Sequence, residues 1–426
     1  MESGVTIKIK LKLPNVETAA SFEKTMEQFR LACNFISEYI FNHSLGELNK
    51  NKIQKAIYRD VRNNFGLKSQ MAISAIRCTV DRYKTVRTQL KKHPMRYKSD
   101  DTDSQTGKRV WKCISRDLYW LWYPINFKRP QVDLQRGKDW SYLKSGQLSI
   151  NTLDKRVKVD FDCHGFDQYL DGTWKLGVGK LLKSQGKWYL HISCTKEIDE
   201  FNDQNIEHVV GIDRGLHQII AAYDEQGRSL FANGKQIAKK RNHYYQLRRH
   251  LQMKNTRNSK RRIRKIGNRE NRWMDDVNHC LSKTLINHYG KNTLFVLEDL
   301  SGVSFDEDNQ NSKDFNRDLH SWTFYDLETK LTYKAQLNHS KVIEIDAHYT
   351  SQRCPKCGRI RKESRDRNLH MYICDKCGYK SNDDRIAAMN IYNLGTFYVS
   401  GVEHPTYQNK LEKIKTLISK ITLKIK

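Results

Sequence analysis

The feature that most constrains this chain is a pair of Cys-x2-Cys motifs near its C-terminal end, separated by sixteen residues. A glycine follows each motif where a metal-binding knuckle must turn, and four thiolates at this spacing are typical of a structural zinc ribbon. The sequence therefore predicts a closed, tetrahedral Zn²⁺ site with no open position for chemistry. The nearby His348 and His370 are predicted to be bystanders. The four predicted zinc ligands are Cys354, Cys357, Cys374 and Cys377.

Net charge is the next constraint, because 76 Lys and Arg residues against 48 Asp and Glu residues give a formal charge of +28. This excess predicts a polyanionic partner, and nucleic acid is favoured over an acidic membrane surface because few amphipathic segments stand out. No run approaches the roughly 18 apolar residues that span a bilayer. The N-terminal segment MESGVTIKIKLKLP alternates apolar and basic residues, which predicts an edge strand rather than a signal peptide. We therefore expect a cytoplasmic location and no membrane partner.

Three successive sequence patterns divide the chain into predicted domains. Apolar residues recur at helical spacing up to residue 92, and a basic face of the third predicted helix includes Arg77. Short alternating runs separated by turn residues then predict a small β-barrel. After His208 the order of strands and helices is α+β and typical of ribonuclease-H-like nucleases. The predicted division is a β-barrel over 1–14 and 93–200, a helical module inserted over 15–92, a nuclease domain over 201–350 and 381–400, the zinc ribbon over 351–380, and a basic tail over 401–426.

Three acidic residues stand at the ends of apolar segments. Asp213 follows VVGI, Glu298 follows TLFVL, and Asp384 opens an apolar helix directly after the ribbon. Carboxylates that converge in this way can hold two Mg²⁺ ions about 4 Å apart, which is the arrangement that hydrolyses phosphodiesters. A lone Asp after a strand is more often a turn or cap residue, and Asp299 and Asp383 are alternative ligands. Strand alternation favours Glu298 over Asp299.

Residues 235–272 form the most basic stretch, with fifteen Lys and Arg residues against one acid. A charge run is often a solvated face or a disordered arm. Its density inside a predicted nuclease domain favours contact with a phosphate backbone. The basic tail is predicted to be either an amphipathic helix that docks on RNA or a frayed end. The candidate nucleic-acid contacts in the basic stretch are Arg248, Arg249, Arg257, Lys260, Arg261, Arg262 and Arg264.

Taken together, these segments resemble the TnpB family of transposon-encoded RNA-guided nucleases and its relatives, the miniature type V CRISPR effectors. The similarity covers most of residues 5–395, and the C-terminal motifs are its most specific part. The segments like the family's nuclease blocks are GID at 211–213, VLEDL at 296–300, SWTFYDL at 321–327, YKA at 333–335, DAHYTSQRCPKCG at 346–358 and CDKCGYKSNDDRIAAMNI at 374–391. The segments like its N-terminal half are FGLKSQMAISAI at 65–76, DWSYLKSGQLSINTL at 139–153 and GKWYLHIS at 186–193.

The resemblance implies a multidomain α+β protein with a RuvC-like nuclease core, an inserted zinc ribbon, and a β-barrel wedge domain that carries a helical recognition module. It implies that Asp213, Glu298 and Asp384 bind Mg²⁺, and it is the main reason to choose Asp384 over Asp383. The implied substrate is double-stranded DNA in a prokaryotic cell, selected by a guide RNA beside a short motif that the protein reads.

Other consequences of the resemblance are less specific. Lys68 and Gln70 are candidates for contacting the DNA motif, since an amide can pair with adenine, although a surface polar residue is the commoner case. The family commonly has Pro where Ala347 stands and Asn where Ile386 stands. Neither difference removes a predicted metal ligand, so both leave the implied activity intact.

Two other functions compete with an RNA-guided endonuclease. One is an RNA-guided DNA-binding repressor that has lost its nuclease activity, and the presence of all three acids speaks against it. The other is a transposase or RuvC-like resolvase that needs no guide. Such an enzyme would be fully active when purified free of RNA, whereas an RNA-guided nuclease would carry a discrete RNA.

Overall fold

The computed structural model describes residues 2–102, 109–162, 165–215, 217–300, 324–366 and 369–407. These residues divide into two compact units, Glu2–Glu197 and the part from Ile198 onward. The start of the SWTFYDL segment and the tail beyond residue 407 lie outside the described residues. The predicted domain boundaries therefore stay a prediction.

The N-terminal unit contains three helices: α1 (Val16–His43), α2 (Lys50–Phe65) and α3 (Ser69–Lys92). The side chain of Asn15 caps α1 by accepting a hydrogen bond from a backbone N–H of its first turn. Helix α3 begins at Ser69, and Lys68 is its N-cap residue.

The strands of the N-terminal unit form an antiparallel seven-stranded sheet and a separate hairpin, with β1 at the centre of the sheet. The order in the sheet is β4-β8-β9-β1-β7-β6-β5, and the hairpin pairs β2 with β3. The strands are β1 (Glu2–Lys12), β2 (Met95–Thr102), β3 (Arg109–Ile114), β4 (Gln131–Leu134), β5 (Trp140–Tyr142), β6 (Leu148–Asn151), β7 (Arg156–Asp162), β8 (Lys175–Ser184) and β9 (Lys187–Glu197).

The seven-stranded sheet must curl, because β4 and β5 lie at its opposite edges and are adjacent along the chain. The short connection from Leu134 to Trp140 spans at most about 20 Å, whereas seven flat strands would separate the edges by roughly 29 Å. Arg136 bridges to Trp140 within this connection. The topology thus agrees with the predicted small β-barrel.

The second unit is built on a five-stranded sheet with the order β12-β11-β10-β13-β14. Strands β10, β13 and β14 are parallel, and β11 and β12 are antiparallel additions. The strands of this sheet are β10 (His208–Asp213), β11 (Gln218–Asp224), β12 (Ser229–Asn233), β13 (Thr293–Glu298) and β14 (Lys341–Ile345). The helices are α4 (Lys235–Lys254), α5 (Arg257–Ile266), α6 (Arg269–Tyr289), α7 (Phe324–Leu337) and α8 (Asp383–Val399).

Both faces of this sheet are covered, which is why its central strands are apolar throughout. One face packs against α6 and α7, and the other packs against α8. Strand β14 leads into a small ribbon with three short strands, β15 (Arg365–Asp366), β16 (Met371–Ile373) and β17 (Lys380–Asn382). The predicted ribonuclease-H-like α+β core with an inserted ribbon is therefore confirmed. Within the described ranges, no helix is both long and apolar enough to cross a bilayer.

Candidate active site

Asp213 and Glu298 lie at the same edge of the five-stranded sheet because their strands are parallel neighbours. The register pairs Ile212 with Leu297, so each acid is the next residue at the carboxyl end of its strand. Glu298 shares a face of β13 with Val296, which packs in the same cluster as residues of α8. Both strands therefore deliver a carboxylate to one edge, and Glu298 is on the side that α8 covers.

Helix α8 brings the third acid to this edge by lying directly on β10. A Cβ at Gly211 would be 2.2 Å from the backbone N of Tyr392 and 2.3 Å from the backbone O of Ala388, so only glycine allows the approach. Asp213 is two residues beyond Gly211 and faces the same helix. Asp384 lies one helical turn before Ala388, at the start of α8. The fold thus gathers three acids from distant parts of the chain.

The structure distinguishes Asp384 from its neighbour Asp383. Asp383 is fully buried and accepts a 2.8 Å hydrogen bond from Nε of Arg365. The Arg365 guanidinium is 3.5 Å from Oδ1 of Asp384. The other carboxylate oxygen of Asp384, Oδ2, is buried and has no hydrogen-bond partner among the described residues. Asp383 is therefore engaged in a structural ion pair, while Asp384 keeps an oxygen for a ligand.

The three acids influence one another's ionisation. Burial raises the pKa of Asp213 well above its ordinary range, and the negative charges of Glu298 and Asp384 raise it further. Burial also raises the pKa of Glu298 and of Asp384, and Arg365 opposes the increase at each. Carboxylates that disfavour one another's charge in a buried place are a strong attractant for a cation.

Sequence reasoning missed the residues that hold Glu298 in place. The Thr350 hydroxyl donates a hydrogen bond to Oε1 of Glu298. Arg214 is almost fully buried and donates to the backbone O of Glu298 and, at 2.8 Å, to Oε2 of Glu328. A polar residue beside an acid gives no periodic signal, so only the folded structure reveals these contacts.

Two histidines lie beside Asp384, and sequence reasoning did not identify either as part of the site. The rings of His217 and His370 stack with centroids 3.7 Å apart. One ring nitrogen of each and one Asp384 oxygen lie within 4.8 Å of one another. Among the described residues, His370 is grouped with this second cluster and not with the four cysteines. Asp213 and Glu298 are in neither of the two close ligand groups found in the described part of the chain.

The four predicted zinc ligands come together in the other close group. The Sγ atoms of Cys354 and Cys377 are 3.6 Å apart, and those of Cys357 and Cys374 are 3.5 Å apart. Tetrahedral coordination with Zn–S bonds near 2.3 Å requires sulfur separations of about 3.8 Å. The residue after each motif is a glycine with positive φ whose N–H closes the knuckle. This Cys₄ cluster fits a zinc ion.

Backbone N–H groups of the second knuckle favour a thiolate. Although burial acts in the opposite direction, the N–H groups of Cys377 and Lys376 lower the pKa of Cys374 to about 7. Burial raises the pKa of Cys354 to about 12. The pKa values of the two thiols therefore differ widely. A bound dication would deprotonate both.

Most of the predicted nucleic-acid contacts are exposed, and three are occupied by other side chains. Arg248 forms an ion pair with the buried Glu270 at 2.5 Å. Lys68 donates to Asn151, and Gln70 accepts from Lys138. Arg77 is half-buried on α3. The predicted contacts that are exposed on α4 and α5 are Arg249, Arg257, Lys260, Arg261, Arg262 and Arg264.

Residues 235–289 form a helical region made of the three helices α4, α5 and α6. Helix α4 ends at Asn255, which has a φ of +45°, and α5 ends at Gly267, which has a φ of +44°. Helices α4 and α5 line a cleft of about 500 Å³ whose walls include Lys240, Arg262 and Arg269. The breaks therefore fold the basic stretch back on itself and concentrate its charge.

Two family models match the second unit and the end of the first. Residues 191–301, which include Asp213 and Glu298, match OrfB_IS605, described as a probable transposase. Residues 324–391, which include Asp384 and the Cys₄ cluster, match the Cas12f1-like TNB domain.

Similar proteins were found among curated sequences and solved structures. A CRISPR-associated endodeoxyribonuclease Cas12f1 of Sulfoacidibacillus thermotolerans is 26% identical over 71% of this chain and 74% of its own length. A TnpB-like protein of Methanocaldococcus jannaschii is 29% identical over 57% of this chain and 87% of its own. The "Putative RNA-guided DNA endonuclease InsQ" of Escherichia coli is 27% identical over 63% and 70%.

A solved structure supports the same relationship at the level of the fold. In a Cas12f1–sgRNA–target DNA complex, the matching chain superposes with a TM-score of 0.56 at 15% identity, covering 88% of this chain and 82% of that one. The family models and the curated proteins confirm the resemblance seen in the sequence motifs, and the solved structure agrees with it in fold: the chain is similar to the TnpB-like proteins and to Cas12f1.

Proposed function

We propose that the protein is an RNA-guided endonuclease that cuts double-stranded DNA. The observation that carries the proposal is the gathering of Asp213, Glu298 and Asp384 at one edge of a ribonuclease-H-like sheet. Relatives named as RNA-guided or CRISPR-associated DNA endonucleases support it. Guide pairing would supply the sequence specificity, and protein charge would hold the heteroduplex by its backbone.

The residues at the candidate site fit magnesium. All three acids offer oxygen ligands, which Mg²⁺ prefers, and one buried oxygen of Asp384 has no hydrogen-bond partner in the described part of the chain. Burial raises the pKa of Asp213 and the negative charges of Glu298 and Asp384 raise it further, so a dication would stabilise its ionised form. In the proposal these three acids hold Mg²⁺.

The remaining residues of the site act by positioning. Bound Mg²⁺ supplies Lewis-acid stabilisation of a phosphodiester and lowers the pKa of an attacking water. Thr350 fixes the orientation of the Glu298 carboxylate, and Arg214 fixes its backbone. Arg365 engages Asp383 and steadies the first turn of α8, which keeps Asp384 directed toward the site.

In the proposal, the exposed cations on α4 and α5 bind the nucleic-acid backbone. Helix α5 presents Arg257, Lys260, Arg261 and Arg264 to solvent with no acidic residue in the helix. The Lys240 ammonium lies 4.1 Å from the centre of the Trp273 ring, so the basic stretch also contains an aromatic platform. Neutralising such cations would weaken binding and reduce its salt dependence.

The N-terminal unit and the ribbon have supporting roles in this proposal. The β-barrel and helices α1–α3 would hold the guide RNA and the DNA beside the target, with Lys68, Gln70 and Arg77 as contact candidates. The Cys₄ cluster would bind Zn²⁺ as a structural ion, because four thiolates leave no position for a substrate.

The test is cleavage of a plasmid that matches the RNA found with the protein. That RNA is sequenced from the purified complex, and its variable end is re-targeted to the plasmid. Wild type is expected to cut in Mg²⁺, and Asp213→Asn or Glu298→Gln is expected to slow cutting at least about 10³-fold. Asp299→Asn, an exposed acid next to Glu298, is the matched control and should cut at the wild-type rate.

Two outcomes would overturn the proposal in different ways. Tight binding of the matched plasmid without any cutting would identify an RNA-guided repressor. Undiminished cutting by protein stripped of RNA would identify a guide-independent enzyme, the reading that the description of OrfB_IS605 as a probable transposase favours.

A further inference from the structure

The stacked histidines beside Asp384 form a cluster that the three-acid site does not account for. His217 comes from the loop between β10 and β11, His370 comes from the ribbon just before β16, and Asp384 comes from the first turn of α8. Three separate elements thus present potential metal ligands within 4.8 Å of one another. Such convergence needs the tertiary fold, so it is not a consequence of neighbouring positions in the sequence.

The backbone around His370 is held in a costly conformation. His370 has a φ of +49°, in the left-handed region that non-glycine residues rarely occupy. Its carbonyl accepts hydrogen bonds from the Asn382 side chain at 3.1 Å and from the Asp383 N–H at 3.3 Å. These contacts fix His370 to the start of α8. Backbone strain that the surroundings maintain is typical of functional positions.

Two polar atoms of the cluster are buried without a partner among the described residues. They are Oδ2 of Asp384 and Nδ1 of His217. Asp384 is only 6% exposed, and a buried polar group without a hydrogen bond destabilises the folded state. A ligand that both atoms can bind would remove this destabilisation. Because one is a carboxylate oxygen and the other an imidazole nitrogen, a dication satisfies both.

We propose that His217, His370 and Asp384 form a mixed nitrogen and oxygen site for a first-row transition-metal dication. Imidazole nitrogen prefers transition metals, whereas Mg²⁺ prefers oxygen ligands alone. The site shares Asp384 with the proposed three-acid centre and lies on the ribbon side of it. Imidazole binds a metal ion in the plane of its ring, and the two stacked planes are only 17° from parallel, so one ring must rotate for both nitrogens to bind one ion.

The experiment uses Mn²⁺ as the probe on the full chain with its Cys₄ cluster filled by zinc. Mn²⁺ is paramagnetic, and thiolates do not favour it. Electron spin-echo envelope modulation detects ¹⁴N bound directly to Mn²⁺. Wild type is expected to show this modulation, and His217→Ala and His370→Ala should each weaken it and lower Mn²⁺ affinity at least about 10-fold. The double variant should show none.

The control for accessible histidines is His348→Ala. His348 is exposed and pairs with Asp346 rather than with Asp384, so this variant should keep the full modulation. Zinc content and melting temperature identify any variant that fails to fold, and His217→Gln provides a milder replacement. Mn²⁺ bound without ¹⁴N modulation in wild type would overturn the proposal, as would equal modulation in the double variant.

The outcome is separable from that of the proposed function. Asp213→Asn removes a proposed magnesium ligand but no residue of the histidine site, so it should abolish cutting and keep nitrogen-bound Mn²⁺. Nitrogen-bound Mn²⁺ in a wild type that cuts no DNA would support the metal site and contradict the nuclease. A wild type that cuts DNA but lacks nitrogen-bound Mn²⁺ would support the nuclease and contradict the metal site.

Discussion

The second unit contains two clusters of candidate metal ligands, four cysteines and three acids, that differ in how they are assembled. The four cysteines come from two knuckles in one short stretch, and each knuckle closes through its own backbone hydrogen bonds. The acidic cluster draws Asp213, Glu298 and Asp384 from two strands and a helix that are far apart in sequence. A locally assembled cluster can help the chain to fold, whereas a dispersed one can form only after the chain has folded.

The two clusters are nevertheless connected through the start of α8. Ile386 is fully buried and packs in one apolar cluster with Cys354, Tyr372 and Cys374. It lies two residues after Asp384, so the packing around the cysteines also fixes the beginning of the helix. We therefore expect the ribbon to support the acidic site mechanically, as a structural zinc site would.

The largest expected effect comes from breaking the locally assembled cluster. Cys374→Ser removes a thiolate, and structural Zn²⁺ contributes folding free energy on the order of 10 kcal/mol in small zinc domains. We expect the variant to lose its zinc, to lose more than about 3 kcal/mol of unfolding free energy, and to cut DNA poorly because α8 is no longer held. Zinc analysis, denaturant unfolding and plasmid cleavage measure the three effects.

Cys280→Ser is the control for this substitution, because Cys280 is an exposed free cysteine of the same unit. It should match wild type in all three measurements. A Cys374→Ser protein that lacks zinc yet remains equally stable and active would show that the cluster does not support the fold.

A smaller effect is expected from disturbing the assembly of the dispersed cluster. The Cβ of Gly211→Ala would lie 2.2 Å from a backbone atom of α8, which cannot move without the helix. We expect a loss of about 2–4 kcal/mol in unfolding free energy and a roughly 10²-fold slower cutting rate, since displacement of α8 moves Asp384. Zinc content should stay at the wild-type level.

Gly4→Ala is the matched control, because Gly4 also lies in a strand and its added Cβ would meet its nearest neighbour at 3.7 Å. Denaturant unfolding should show a much smaller change for this variant. Wild-type stability and cutting by Gly211→Ala would show that α8 does not fix the acidic site.

The sequence predicted the parts of the molecule whose signal is local. Cysteine spacing predicted the four residues that come together in the Cys₄ cluster, and apolar strands ending in acids predicted Asp213 and Glu298 as candidates. Strand alternation could also have shown that Asp213 and Gly211 share a face. It could not show that α8 lies on that face, because this depends on a missing side chain at Gly211 and a helix that begins at residue 383.

The parts that sequence reasoning missed depend on contacts between distant residues. His217 and His370 are 153 positions apart, and neither stands in a recognisable motif. The choice of Asp384 over Asp383 was made from family resemblance. In the folded protein, the closer pairing of Arg365 with Asp383 favours the same choice, which stays a prediction. Sequence reasoning also treated residues 235–272 as one basic stretch, and it did not predict that helices end there, at the C-cap residues Asn255 and Gly267.

The smallest expected effect tests how far the carboxylate-rich edge extends beyond Glu298. A hydrogen bond that Glu344 donates to the Glu328 carboxylate, aided by burial, raises the pKa of Glu344 from 4.5 to about 7. A carboxyl whose pKa is raised by folding contributes stability that is complete below about pH 4.5 and is lost as the pH rises through about 7. Glu344→Gln keeps a hydrogen-bond donor without the charge, so it should be more stable than wild type at pH 8 and nearly equal to it at pH 4.5.

Melting temperatures of wild type and Glu344→Gln between pH 4.5 and 8 measure this difference directly. Because Glu344 is partly exposed, solvent screening should keep the effect to a small fraction of that of Gly211→Ala. Glu403→Gln removes one charge from an exposed site of the same unit and should follow wild type across the range. Other buried acids also titrate, but they contribute equally to both proteins and cancel in the difference. Parallel melting-temperature curves for Glu344→Gln and wild type would mean that charge repulsion is confined to the three acids. Curves that diverge above pH 6 would show that the charge repulsion also includes Glu344, beyond Arg214.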